Sequence, residues 1–119
     1  MILFSVNRAS ASSEENLDAV KDACKQLGSY TSGIDFFGSD VETCFLTVCD
    51  VTAKDLAYKY NQDCYFERGH YGYWYLIETR SGDVLDVFKG IFEKSIDWPE
   101  HNPGEPYTLI NGRVFVAEK

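Results

Sequence analysis

The feature that most constrains the fold of this chain is the stretch Cys64–Glu78, in which aromatic residues stand on both sides of a glycine-flanked turn. Alternating side chains are typical of β-strands, and glycines supply the backbone freedom of a tight turn. The stretch therefore predicts an antiparallel hairpin with strands at about 64–67 and 72–79. Its aromatic content makes this hairpin the predicted centre of a sheet.

The second strand of the hairpin presents two different sides. Successive side chains on a strand point in opposite directions, so Tyr71, Tyr73 and Tyr75 are predicted on one side and Trp74 and Leu76 on the other. If the Leu76 side packs on helices, the tyrosines form an open platform. The alternative is that the tyrosines merely cover the sheet, with their hydroxyl groups in water.

Two segments carry helical signals. Ser12 and Glu15 have the spacing of a capping box, and the apolar residues after them recur every three or four positions, which predicts a helix at 13–27. Thr52 and Asp55 resemble a second capping box, with Asp in place of Glu or Gln. They predict a second helix of about two to three turns, which ends near residue 60.

Strands are predicted from apolar or alternating runs elsewhere in the chain, at residues 2–6, 30–38, 41–49 and 84–88. The pair Asn111-Gly112 lies between two apolar runs and predicts a C-terminal β-hairpin at about 107–117. Residues 89–96 have helical spacing, although Gly90 disfavours a helix. Gly38-Ser39-Asp40 predicts a turn, and the prolines and glycine of 97–106 predict a loop.

This order of elements, β-α-β-β-α-β followed by antiparallel strands, predicts an α+β fold. We expect a mostly antiparallel sheet with both helices packed on one face. Residues 1–119 are predicted to form a single domain, because the length leaves no room for two independent cores. The C-terminal hairpin is expected to join the same sheet, since two strands alone are marginally stable in water.

The charge balance narrows the classes of partner. The chain has 11 basic and 19 acidic residues, a net charge of −8 and a pI of about 4.6. Such a surface repels phosphate backbones, which argues against direct nucleic-acid binding. It favours a protein partner, mimicry of nucleic-acid charge, or simple solubility.

The cysteines and the apolar runs indicate a compartment. Cys24, Cys44, Cys49 and Cys64 contain no C-x-x-C pair, and each falls at a predicted apolar position. No apolar run approaches the length of a membrane span, and no leader segment is recognised. We therefore expect a reduced, cytoplasmic protein that does not contact a membrane.

No arrangement of residues predicts catalysis. His70 and His101 lack a neighbouring Ser or Cys in a recognised nucleophile motif, and phosphate-binding glycine motifs are absent from the sequence. Carboxylates at Asp35, Asp40, Glu42 and Asp50 could attract a hard metal ion, but their spacing matches no known loop. We therefore predict no catalytic residue, cofactor or metal, and a protein that is more plausibly not an enzyme.

Two surfaces are candidate binding sites. The first is the aromatic hairpin, whose tyrosines offer stiff contact area and whose turn adds directional donors; it comprises Arg68, His70, Tyr71, Tyr73 and Tyr75. The second is the acidic face of the first helix, which comprises Glu14, Glu15, Asp18 and Asp22. A homodimer through the tyrosine side is a further hypothesis, and an ordinary solvated surface is the alternative for both.

The first half of the chain carries a diffuse motif of eight residues: Asn7, Asn16, Gly33, Glu42, Phe45, Ala57, Tyr60 and Gln62. With this motif, about residues 2–78 resemble a family of small bacterial and phage-borne domains of unknown function. The resemblance implies no established activity. It implies that Asn7, Asn16, Glu42 and Gln62 converge as a polar cluster at one edge of the sheet. Residues 80–119 depart from the family pattern.

The sequence therefore predicts a small acidic interaction protein, carried by a phage or mobile element, that binds and modulates a host protein. An inhibitor of restriction or CRISPR systems fits the size, the acidity and the aromatic surface. One alternative is a small-molecule-binding domain or small enzyme that uses the polar cluster Asn7, Asn16, Glu42 and Gln62. Another is a structural or oligomerisation module.

Overall fold

The computed structural model describes residues 1–37 and 40–119, and in these ranges the chain forms nine strands, three helices and a 3₁₀ turn at His70–Gly72. The strands are β1 (Ile2–Ser5), β2 (Thr31–Phe37), β3 (Asp40–Thr47), β4 (Cys64–Arg68), β5 (Trp74–Glu78), β6 (Val84–Phe88), β7 (Gly90–Lys94), β8 (Tyr107–Ile110) and β9 (Arg113–Glu118). The helices are α1 (Ser13–Gln26), α2 (Asp50–Lys59) and α3 (Trp98–His101). Gly38 and Ser39 of the predicted 38–40 turn lie outside the described residues.

The nine described strands join one antiparallel sheet in the order β6-β5-β4-β1-β3-β2-β8-β9-β7, and this sheet curls into a nearly closed barrel. Strands hold 42% of the described residues and helices 26%, so the fold is mostly β. The predicted α+β class is therefore wrong.

Two long-range features caused this error. Residues 89–96, for which the sequence signals conflict, contribute the strand β7, which pairs with β9. The pairing of β2 with β8 joins the C-terminal hairpin to the first half of the chain. The sheet therefore continues beyond β2 and curves back on itself, so that its inner face is covered by its own strands.

β1 lies in the interior of the sheet, and both of its faces are buried. On the outer face, Ile2 and Phe4 pack with Phe45 of β3 against the small and apolar residues of the two longer helices, Ala19, Ala23, Leu27, Ala53, Leu56 and Ala57. On the inner face, Leu3 packs with Cys44 of β3 and Trp74 of β5. Helices α1 and α2 therefore cover only the outer side of the sheet.

The helix starts follow different rules. The capping box predicted for α1 is confirmed: the Ser12 hydroxyl accepts a hydrogen bond from the Glu15 amide (3.1 Å), and the Glu15 carboxylate accepts one from the Ser12 amide (3.2 Å). The second predicted capping box is wrong, because α2 begins at Asp50, before Thr52. The Cys49 side chain at its N-cap makes no capping bond.

The predicted faces of the aromatic hairpin are reversed. Tyr75 packs against the outer, helix-side core, whereas Trp74 and Leu76 lie on the inner side. Tyr71 belongs to the 3₁₀ turn, with a φ of 59°, so the alternation of β5 begins only at Trp74. The tyrosine platform does not form, because its three members do not share one strand face.

Two connections complete the fold. Asn111 and Gly112 both have positive φ, at 52° and 75°, which is the backbone conformation that Asn-Gly favours between β8 and β9. The segment 97–106, predicted as a loop throughout, contains the one-turn helix α3. Among the described residues, no helix combines the length and apolar character that a membrane span requires.

The junction of β2 with β8 leaves no room for a side chain at Gly33. A Cβ atom there would lie 2.7 Å from the Leu109 carbonyl oxygen and 2.6 Å from Ile110 Cγ1. We expect Gly33→Ala to destabilise the fold by about 1–3 kcal/mol, because backbone must move. Gly28→Ala is the matched control, since a Cβ at Gly28 meets nothing within 4 Å. Urea denaturation measures both, and equal midpoints would contradict this strand junction.

Candidate functional site

The inner face of the barrel encloses a cavity of about 570 Å³. This volume lies within the range of about 300–1,000 Å³ that small-molecule sites occupy. Its wall is mostly apolar and comes from eight strands, through residues that include Leu3, Phe37, Phe66, Leu76, Phe88, Ile91, Tyr107, Phe115 and Ala117. The cavity is therefore the candidate functional site.

Two pairs of aromatic rings line this cavity. Phe66 of β4 and Phe88 of β6 meet edge to face, with ring centroids 5.6 Å apart. Trp98 of α3 and Tyr107 of β8 also line the cavity, and their centroids are 6.4 Å apart. The Asn102 side-chain amide donates a hydrogen bond to the Trp98 carbonyl (2.9 Å), which fixes the short helix α3 beside the cavity.

Asp35 places a carboxyl group in this apolar wall. Its side chain comes from the middle of β2 and is 9% exposed. The Thr108 hydroxyl donates a hydrogen bond to Asp35 Oδ1 (2.6 Å), and across the described ranges Asp35 forms no ion pair. Burial raises the pKa of Asp35, and hydrogen bonds from Thr108 and Cys44 oppose this rise.

A second carboxyl group faces Asp35 across the strand pair. Glu42 of β3 lies directly opposite Asp35 in the sheet register, where like charges destabilise each other. Burial raises the pKa of Glu42, and the charge of Asp35 raises it further. Both carboxyl groups line a hollow of about 210 Å³ that shares Leu3, Cys64 and Phe66 with the main cavity. The polar end of the barrel interior is therefore acidic.

One thiol, that of Cys44, contacts Asp35 at this acidic end. Cys44 is fully buried on β3, and burial, followed by the charge of Asp35, raises the pKa of its thiol. A thiol held in its neutral form is a poor nucleophile and a poor metal ligand. All four cysteines are free. Within residues 1–37 and 40–119, no three His, Cys, Asp or Glu side chains group in a way that would hold a metal ion.

The polar cluster implied by the family resemblance is brought together, but its amides bind backbone. The Asn16 side chain accepts a hydrogen bond from the Arg8 amide (2.9 Å) and donates one to the Arg8 carbonyl (3.0 Å). Asn7 accepts from the Thr43 amide (2.8 Å), and Gln62 donates to the Asn7 carbonyl (2.8 Å). These three amides fix the segment between β1 and α1.

Glu42 and Gln62 of that cluster line the small hollow of the barrel interior. Glu42 also borders an open depression of about 520 Å³ on the outer surface, together with Asn7 and Asn16. The cluster therefore does not converge on one deep pocket. Its acidic member connects it to the site formed with Asp35.

Of the five residues predicted to bind at the hairpin, four remain together at its tip and Tyr75 is separated from them. Arg68, His70, Tyr71 and Tyr73 are exposed around the 3₁₀ turn, and Tyr71 is 97% exposed. Tyr75 lies beneath them against the helix-side core, with its ring over Gly69. A homodimer interface at this tip remains a prediction, without the shared tyrosine surface on which it was based.

The acidic face of α1 is divided in the same way. Glu14, Glu15 and Asp18 are exposed, whereas Asp22 turns towards α2. The Asp22 carboxylate accepts hydrogen bonds from Lys59 Nζ (2.8 Å) and Tyr60 Oη (2.5 Å), which lower its pKa to about 2. Asp22 therefore joins the two helices, and only the first two turns of α1 present acid to solvent.

Sequence reasoning named Asp35 only as one of several scattered carboxylates, named Glu42 as one of these and as a member of the polar cluster, and missed the cavity. One signal pointed to Asp35: a single acid inside the apolar run Ile34-Asp35-Phe36-Phe37. A charged residue in the middle of a buried strand needs a partner or a function. Thr108 carries no comparable signal, because its role depends on the pairing of β2 with β8.

Comparison of the chain with protein-family models, with curated proteins and with solved structures found no match.

The buried carboxyl group makes a prediction about stability. A carboxyl pKa that is raised in the folded state contributes stability below its unfolded value of about 3.9, and this contribution is lost as pH rises through the folded pKa. At pH 7 we expect Asp35→Asn to stabilise the fold, on the order of 1 kcal/mol, because the amide keeps the Thr108 hydrogen bond without a buried charge.

Thermal unfolding at pH 7 and at pH 3 measures this effect. The gain from Asp35→Asn should shrink towards zero in acid, where the wild-type carboxyl group is protonated. Asp55→Asn, at an exposed position on α2, is the control and should change the midpoint little at either pH. Destabilisation by Asp35→Asn at pH 7 would show that the buried charge is compensated within the protein.

Proposed function

We propose that this protein binds a small apolar molecule inside its barrel. The observation that carries the proposal is the cavity of about 570 Å³, whose wall is apolar except for directional groups such as Asp35 and Thr108. Ligand sites typically combine an apolar lining with a few fixed polar groups that orient the ligand. Cytoplasmic location is part of the proposal, because four free thiols fit a reducing compartment.

The proposal keeps one class of function predicted from the sequence and moves its site. A small-molecule-binding domain was predicted to use Asn7, Asn16, Glu42 and Gln62. Three of these side chains make hydrogen bonds to backbone, which supports a structural role for them. The ligand site proposed here instead uses the inner faces of the strands. Of the original four residues, Glu42 and Gln62 line the small hollow that adjoins this site.

A neutral fluorescent probe tests this proposal. N-phenyl-1-naphthylamine should brighten on entering the cavity, and the wild-type protein should bind it with a saturable isotherm. We expect Ala117→Phe to weaken probe binding about tenfold or more, which corresponds to ~1.4 kcal/mol, because Ala117 lines the cavity and the new ring would occupy its space.

Val51→Phe is the matched control, because it adds the same ring at a position on α2 that is 75% exposed. Circular dichroism and thermal unfolding establish that both variants are folded. If the wild-type protein leaves the probe dark, or if both variants bind it as well as wild type, the cavity does not accept a ligand.

The acidic inhibitor of a host protein is a second candidate, and one surface supports it. Glu14, Glu15 and Asp18 remain exposed on α1, and the net charge of the chain is −8. An acidic surface of this kind could occupy a basic channel that otherwise holds nucleic acid. A phage or mobile-element origin, taken from the family resemblance, belongs to this second candidate.

Charge reversal separates this candidate from simple solubility. We expect Glu14→Lys with Asp18→Lys to slow association with a host partner captured from cytosol, and wild-type binding to weaken as salt rises. Lys21→Glu with Lys25→Glu is the control, because it changes the charge of the same helix in the opposite direction. Capture that ignores both salt and charge reversal would exclude α1 as the contact surface.

A further inference from the structure

The interior of the barrel is not only apolar: its charges favour a positively charged group. Asp35 is a nine-tenths buried carboxyl group whose contacts are neutral: the Thr108 hydroxyl and the Cys44 thiol. Burial of a charge without a counter-ion is among the largest penalties in a folded protein. The protein retains this group on the wall of a cavity, where a ligand can reach it.

Other acidic residues near Asp35 increase this preference for positive charge. Glu42 lies directly across the strand pair, and Asp63 lines the same small hollow. Among the described residues that line the cavity and the hollow, the basic side chain is Lys119, whose Nζ is bound to Asp86 Oδ2 at 2.7 Å. The polar end of the interior is therefore negative, and the charge of the one lysine on its wall is already matched.

We propose, on the basis of the function proposed above, that the ligand is a cationic amphiphile, with an apolar body in the barrel and an amine received by Asp35 and Glu42. The apolar body fills the space between the phenyl rings of the wall. The ammonium group supplies the counter-ion that Asp35 lacks and relieves its repulsion with Glu42. A neutral ligand of the same shape would neither supply a counter-ion to Asp35 nor relieve its repulsion with Glu42.

A matched pair of ligands tests the class directly. Decylamine and decanol have nearly the same length and differ at the terminal group, and each is added below its aggregation concentration to displace N-phenyl-1-naphthylamine. We expect wild type to prefer the amine about 10- to 100-fold, which is the effect of one charge-assisted hydrogen bond. Asp35→Asn should abolish the preference by weakening the binding of decylamine. Glu42→Gln should reduce the preference in part.

Asp55→Asn controls for the general attraction of an amine to an acidic protein, since it removes the same charge at an exposed position on α2. It should leave the preference intact. Equal affinity of wild type for the two ligands, or a preference that survives Asp35→Asn, overturns the cationic class while the proposed ligand site stands. Failure of both ligands and of the probe to bind overturns the ligand site and this inference together.

Discussion

The burial of β1 on both faces is the constraint on which the rest of the structure depends. Ile2, Leu3, Phe4 and Ser5 are all buried, so each side of this strand needs a cover. Helices α1 and α2 cover the outer side. The inner side is covered by the sheet itself, through the curvature that brings β5, β6 and β7 over it. The barrel forms because the curved sheet covers the inner side of β1. The cavity remains because side chains do not fill the space that the curved sheet encloses.

Local structure could be predicted because its determinants are neighbours in the sequence. The Ser12–Glu15 capping box, the apolar period of α1 and the Asn111-Gly112 turn each involve residues within a few positions of one another. The barrel could not be predicted in the same way. It depends on β1 pairing with β3 and β4 and on β2 pairing with β8, and no residue of one partner specifies the other. Tyr75 shows the same limit, since alternation sorts side chains into two sets without assigning either to the core.

One residue of the candidate site could be recognised in the sequence, but the residues that surround it in the structure could not. Asp35 stands out in the sequence as an acid within an apolar strand, and Glu42 carries no such mark. Their opposition arises from the β2–β3 register, and the hydroxyl beside them comes from β8. The amides of Asn7, Asn16 and Gln62 illustrate the opposite case. They converge in space as the family resemblance implied, yet their hydrogen bonds go to backbone groups and fix a loop.

The connection between β2 and β8 also has a consequence for how the molecule assembles. The strands β7, β8 and β9 pair among themselves, and among the described strands the β2–β8 pairing is the one that joins them to the rest of the sheet. Pairings between distant segments form late, and proteins dominated by them fold in about milliseconds to seconds. The N-terminal strands and the C-terminal hairpin can therefore each form early, and the barrel closes when the two meet. The cavity that we assign to a ligand is then the last part of the molecule to form. A bound ligand would slow the opening of the barrel.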